Sequence, residues 1–104
     1  MTSWFIYMIR CQNGSIYTGI TTDVTRRFQQ HEAGKGSRYL KGKGPLKLVL
    51  SRKIGNRSFA TKVEKGIKRL PKKEKEKFIS SIETFERFIH QMNSINKGPT
   101  GKQL

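Results

Sequence analysis

The sequence predicts an α/β chain of the α+β kind: a small three-stranded antiparallel sheet flanked by helices, with a helical extension at the C-terminal end. Three observations predict it. Two alternating runs flank Gln12-Asn13-Gly14, as in a β-hairpin. A Thr-Thr-Asp cap then precedes a segment of 3.6-residue period, Val24 to His31. Further on, Leu46 to Ser51 alternates once more before two longer helical patterns. With 104 residues, the chain has room for one modest core and not for two domains.

The parity of the hairpin decides which side chains meet. A two-residue Asn13-Gly14 turn would put Tyr7 and Tyr17 on opposite faces, because side chains alternate along a strand. A three-residue loop with Gly14 in the left-handed position pairs Cys11 with Ser15, Ile9 with Tyr17 and Tyr7 with Gly19. Both phenols then share a face. The even-numbered set, Trp4, Ile6, Met8, Ile16 and Ile20, is expected to enter the core, and the three-residue loop is the geometry we expect.

In the first helix, Asp23 or Thr22 can accept from the free N–H groups at its start, and Gly34 suits the position just past its end. Val24 and Phe28 form its apolar stripe. At about 100° per residue, His31 falls between Arg27 and Phe28, so Arg27 and His31 project together while Arg26 faces water.

The loop Lys35 to Pro45 is dense in glycine and cations. Lys35, Arg38, Lys41 and Lys43 can approach phosphates while Tyr39 stacks on a base. Next, Leu46, Leu48 and Leu50 alternate against Lys47, Val49 and Ser51, the pattern of a half-buried third strand. Asn56 or Ser58 caps a second helix whose Phe59, Val63, Ile67 and Leu70 lie along one side before Pro71. Glu64 sits on the margin of that side, four residues before Lys68, so a surface ion pair is its plainest role.

From Lys72 onward, Phe78, Ile82, Phe85, Ile89 and Met92 are spaced four, three, four, three, which predicts one amphipathic helix with a coiled-coil-like seam. The seam can pack on its own domain, pair with a second copy or recruit a partner, the first being expected. We place the domain at residues 1–79, the helical extension at 80–96 and a flexible tail at 97–104.

Twenty-two Lys and Arg against seven Asp and Glu give a formal charge of +15, which favours a polyanion such as nucleic acid as partner. A single cysteine excludes an internal disulfide, and with two separated histidines it offers no zinc spacing. A reduced, cytoplasmic setting is expected. The opening MTSWFIYMIR is too short and interrupted for a membrane span and lacks a signal-peptide cleavage pattern, so no membrane partner is expected.

Taken in order, Phe5-Ile6-Tyr7, Tyr17-Thr18-Gly19, Arg26 to His31, the GKGSRYLKGKGPLKLVL stretch and a helix bearing Glu64 resemble the GIY-YIG nuclease domain, in particular its small standalone bacterial members. The resemblance covers roughly residues 3 to 79. Phe5 stands where the motif has its first glycine and Thr18 where it has isoleucine. Many family nucleases carry an asparagine after the glutamate, but here Asn93 is the first to follow Glu64.

The resemblance implies an endonuclease acting on DNA, with Glu64 at the place of the family's glutamate that binds Mg²⁺ or Mn²⁺. Arg27 is the residue to neutralise the scissile phosphate, for which a planar, permanently charged fork is well shaped. Tyr17 is the first choice to accept a proton from water and Tyr7 the second, each needing nearby positive charge to favour its phenolate. His31 can hold the water, assist a tyrosine or bind phosphate. Gly19 leaves room for close approach. With no recognition domain expected, structure and backbone charge should be read more than base sequence. The alternative is a basic nucleic-acid-binding module that keeps the scaffold without turnover.

Overall fold

A computed structural model describes residues 2–97, so the tail expected at 97–104 lies outside them apart from Lys97. The elements run β1 (Trp4–Arg10), β2 (Ile16–Thr21), α1 (Val24–Glu32), β3 (Lys47–Gly55), α2 (Arg57–Lys68), α3 (Lys72–Ser80) and α4 (Ile82–Lys97). The strands form one antiparallel sheet in the order β2-β1-β3.

The hairpin closes through the three-residue loop. Cys11 N–H donates to the Ser15 carbonyl at 2.9 Å, and Gly14 adopts φ 90°, a left-handed conformation that glycine enters without a steric penalty. Tyr7 therefore opposes Gly19 and Ile9 opposes Tyr17. This parity sends Ile6 and Met8 into a core with Leu50, Val63, Ile67, Phe78, Phe85 and Ile89.

The opposite face is also buried. Tyr7, Ile9, Cys11 and Leu40 form a second apolar cluster, joined by Tyr17, Val24, Phe28 and Leu46. Helix α1 thus covers one face of the sheet and α2 the other. Asp23 caps α1 by accepting from Arg26 N–H, and Gly34 follows it at φ 77°. Leu40, only 2% exposed, pins the glycine- and lysine-rich loop to this second cluster.

Three expectations need correction. β3 is longer than Leu46 to Ser51, and its leucines do not share a face. Pairing shifts between Met8–Leu50 and Ile9–Leu48, so Val49 is an extra residue, and a bulge of this kind inverts which side chains face the core. Leu50 is buried, Leu48 is 37% exposed and Leu46 packs on the second cluster.

The C-terminal seam is not one helix. Ser81 interrupts it in an extended conformation, φ −142° and ψ 105°, and its Oγ accepts from Thr84 N–H to begin α4. The turn throws Ile82 out to 55% exposure while Phe78, Phe85 and Ile89 enter the core. α4 packs closely on α2, because Gly66 presents no side chain where a Cβ would lie 3.3 Å from Phe88 and Met92. Two paired arginines tie α3 and α4 to the sheet: Arg10 donates to both carboxylate oxygens of Glu76 at 2.6 and 2.8 Å, and Arg52 to both of Glu86.

Trp4, expected in the core, stays half-buried at the end of β1. Its partner across the strand pair is Gly55, so no cross-strand side chain covers the indole, and the Arg57 guanidinium lies 5.3 Å from the ring centre instead. Among the described residues, no helix is long and apolar enough to cross a membrane.

Candidate active site

The second cluster is where the chemistry-bearing side chains meet. Tyr7 comes from β1, Tyr17 from β2, and His31 and Arg27 from successive turns of α1, as the shared strand parity and helical spacing require. The Tyr7 hydroxyl and Nε2 of His31 share a hydrogen bond of 2.8 Å. Tyr7 and Tyr17 have ring centres 6.3 Å apart, and the imidazole stands 5.8 Å from the first and 5.4 Å from the second.

Close backbone passage makes this packing possible. A Cβ on Gly19 would sit 2.5 Å from the Tyr7 hydroxyl oxygen, and one on Gly36 would sit 2.4 Å from Nδ1 of His31. Arg27 is held by two bonds, Nη1 donating to Oε1 of Gln30 at 3.0 Å and Nη2 to the Gly36 carbonyl at 3.1 Å. Gln30 and Gly36 had no separate signal in the sequence.

Burial sets the protonation states. Tyr7, 1% exposed, has its pKa pushed up to about 12 by desolvation and by the neighbouring Tyr17, with Arg27 opposing the shift. His31 is equally buried, and desolvation together with the Arg27 charge lowers its pKa from the ordinary 6.5. At neutral pH both rings are uncharged. His31 Nδ1 has no hydrogen-bond partner, so one function of the imidazole is left unsatisfied whichever tautomer forms.

Tyr39 closes the cluster from outside. Its ring stacks on Tyr17 at 5.9 Å and 22°, its hydroxyl donates to Ser15 Oγ at 3.3 Å, and Lys43 Nζ lies 4.5 Å from its centre. Lys35, Arg38 and Lys41 are exposed along the same loop.

Glu64 comes from a different helix. It belongs to α2, on the other face of the sheet, with a side chain 19% exposed and an ion pair to Lys68 at 3.2 Å. The link to the phenols runs around the edge strand: Lys68 lines a cavity of about 290 Å³ together with Tyr17, Thr18, Tyr39 and Lys75. Lys68 and Lys75 were missed in this role because only the packing of α2 and α3 beside β2 brings them there. Among the described residues, no group of three or more His, Cys, Asp and Glu side chains could hold a metal. A lone carboxylate such as Glu64 would suit only an ion that keeps most of its waters, and Lys68 would have to yield its oxygen.

Comparison with known proteins assigns the chain. Residues 3–77 match the family model described as the GIY-YIG catalytic domain. The chain belongs to the GIY-YIG family. Among GIY-YIG relatives, a UPF0213 protein of Citrobacter koseri is 46% identical over 94 residues, spanning 90% of this chain and 94% of that protein. The UPF0213 protein YhbQ of Salmonella typhimurium is 44% identical across the same shares.

Two solution NMR structures share the GIY-YIG architecture seen here. A UPF0213 protein of Bacillus halodurans matches at 38% identity with a TM-score of 0.50, over 75% of this chain and 83% of that one. A protein of E. faecalis matches at 34% with a TM-score of 0.57, over 80% and 88%. GIY-YIG domains form an endonuclease family, so nucleic acid is the partner that membership implies.

Proposed function

We propose that this GIY-YIG chain is a divalent-cation-dependent endonuclease that hydrolyses phosphodiester bonds in DNA, selecting its sites by strand structure. The observation that carries this reading is the convergence of Tyr7, Tyr17, His31 and Arg27, with the two phenols 6.3 Å apart on one face of the sheet. Hydrolysis requires a water oxygen to bond to phosphorus, the bond to one sugar oxygen to break, and a proton to pass from the water to solvent or to that leaving oxygen.

Tyr17 accepts the proton of the attacking water. It lines the open cavity that Lys68 and Lys75 share, where a water and a phosphate can reach it. Tyr7, buried with its pKa near 12, is a poor base at neutral pH and instead holds the imidazole and the neighbouring phenol in place. Arg27, fixed by Gln30 and Gly36, faces the phosphate oxygens as charge accumulates on them. Glu64 would hold the Mg²⁺ or Mn²⁺, which when bound supplies Lewis-acid stabilisation at the phosphate. Lys35, Arg38, Lys41 and Lys43 contact flanking phosphates and Tyr39 a base, while Gly19 keeps the approach clear.

A second reading is a nucleic-acid-binding module without turnover. The Lys68–Glu64 pair favours it, since the ammonium occupies the carboxylate that the metal would need. A cleavage and nicking assay on supercoiled, branched and single-stranded DNA with Mg²⁺ or Mn²⁺ separates the two. We expect cutting by the native chain, and loss of cutting with binding retained in Glu64→Ala and Tyr17→Phe. Cleavage unchanged by both substitutions refutes the assigned roles, and a native chain that cuts no substrate leaves the binding module.

A further inference from the structure

We propose that Trp4 and Arg26 form a subsite for an unpaired nucleobase beside the scissile phosphate, so that the preferred substrate carries a single-stranded or splayed nucleotide at that position. The inference rests on the nuclease reading above and names the class of strand that the site receives.

The observation behind it is a cleft of about 310 Å³ at the end of the sheet, lined by Trp4, Ile20, Asp23, Arg26, Arg27 and Gln30 among others. Arg27 and Gln30 are the pair that position the guanidinium in the candidate active site, so the cleft begins where that site ends. Its walls combine an aromatic ring, an aliphatic side chain and two arginines, the materials with which proteins hold a base and its phosphate. Asp23, the one carboxylate in the lining, is already engaged in capping α1. Arg26 is exposed and has no carboxylate partner among the described residues.

Trp4 is fitted for stacking because the fold leaves it only partly covered. Ile6 and Met8, next along the same face of β1, are completely buried, whereas Trp4 faces Gly55 and is half-buried. Arg57 does not line the cleft and braces the indole from outside it. The cavity holding Tyr17, Tyr39 and Lys68 lies towards the other end of β2. From Tyr17 to Thr21 the strand advances about 13 Å, a distance that a short run of linked unpaired nucleotides can span. One strand can therefore pass from Trp4 across Arg27 to Tyr17. A base paired within a duplex cannot lie flat on the indole, which is why an unpaired one is required.

Trp4 is the only tryptophan in the sequence, so its emission reports the subsite directly. The native chain is titrated in EDTA with an oligothymidylate and with a blunt duplex of equal length, while fluorescence anisotropy of labelled copies of each measures binding independently. The single strand should reduce Trp4 emission by about half in step with anisotropy, and the duplex should bind with little quenching. Trp4→Leu should weaken single-strand affinity about tenfold and leave duplex affinity within about twofold, with Trp4→Phe restoring most of the loss. Arg26→Ala, at an exposed position that does not threaten folding, should move quenching to higher oligonucleotide concentration.

Single-strand binding with unchanged Trp4 emission overturns the subsite, as does an oligothymidylate that fails to bind. DNA cleavage with a silent Trp4 removes the subsite alone. Quenching without cleavage of any substrate removes the nuclease reading alone.

Discussion

The Tyr7 hydroxyl lies 2.8 Å from Nε2 of His31, joining β1 to α1 across a separation of 24 residues in a part of the protein closed to water. Removing the hydroxyl in Tyr7→Phe would leave both imidazole nitrogens buried without partners. We expect a loss of about 1–3 kcal/mol, or roughly 4–8 °C in melting temperature per kcal/mol. A melt followed by circular dichroism measures it, and an unchanged midpoint would show that the bond contributes nothing net.

The same burial predicts a pH dependence. The folded-state pKa of His31 is lowered from 6.5, so the unfolded chain binds the proton more readily. The stability from this group is complete above pH 6.5 and is lost as pH falls through the folded value. Tyr7 works in the opposite sense, with stability complete below its ordinary 10 and lost as pH rises through about 12. Thermal midpoints between pH 7.5 and 5.5 stay above the range in which the lowered carboxyl of Glu76 costs stability, which opens as pH falls towards its ordinary 4.5. The slope over that interval should flatten in His31→Gln.

Two glycines should resist the smallest substitution. Gly19→Ala places a methyl group 2.5 Å from the Tyr7 oxygen, and Gly36→Ala places one 2.4 Å from His31 Nδ1. Each neighbour is a buried ring with little room to retreat, so we expect about 1–3 kcal/mol of destabilisation together with loss of cleavage. Stable, fully active alanine variants would show that these rings move freely.

Arg27→Lys should be a severe change despite keeping the charge. One ammonium cannot reproduce the fork that bonds Gln30 and the Gly36 carbonyl together. Cleavage should fall by about a hundredfold, well beyond any accompanying loss of DNA affinity. Cleavage within a fewfold of the native rate would remove Arg27 from the charge-stabilising role.

Truncation after Ser80 should unfold the domain, because it removes Phe85 and Ile89 from the core around Ile6 and Met8. Phe85→Ala, a milder test, should cost about 3–5 kcal/mol. Denaturant titration of this variant beside Ile82→Ala gives the contrast, since Ile82 is exposed and its loss should be close to neutral.

Much of this geometry was legible because it follows from local spacing. Gly14 and its neighbours set a loop parity, the parity put Tyr7 and Tyr17 on one face, and α1 carried Arg27 beside His31. The third strand misled for the same reason: alternation describes a regular strand, and the extra Val49 becomes visible only when β3 is paired with β1. Trp4 looked like a core residue by its even position, yet nothing local announced that its partner would be Gly55.

The hairpin, the basic composition and the family were thus readable from the chain alone, and the helix caps were narrowed to Asp23 or Thr22 and to Asn56 or Ser58, because all of these depend on residues close together or on motif order. Only the packed chain shows that both faces of the sheet are buried, that Ser81 divides the last helices, and that Lys68, the partner of Glu64, lines a cavity with Tyr17 at the edge of β2. Those outcomes arise from packing between segments far apart in the chain. Such packing depends on side-chain volume and strand register, which hydrophobic period does not encode.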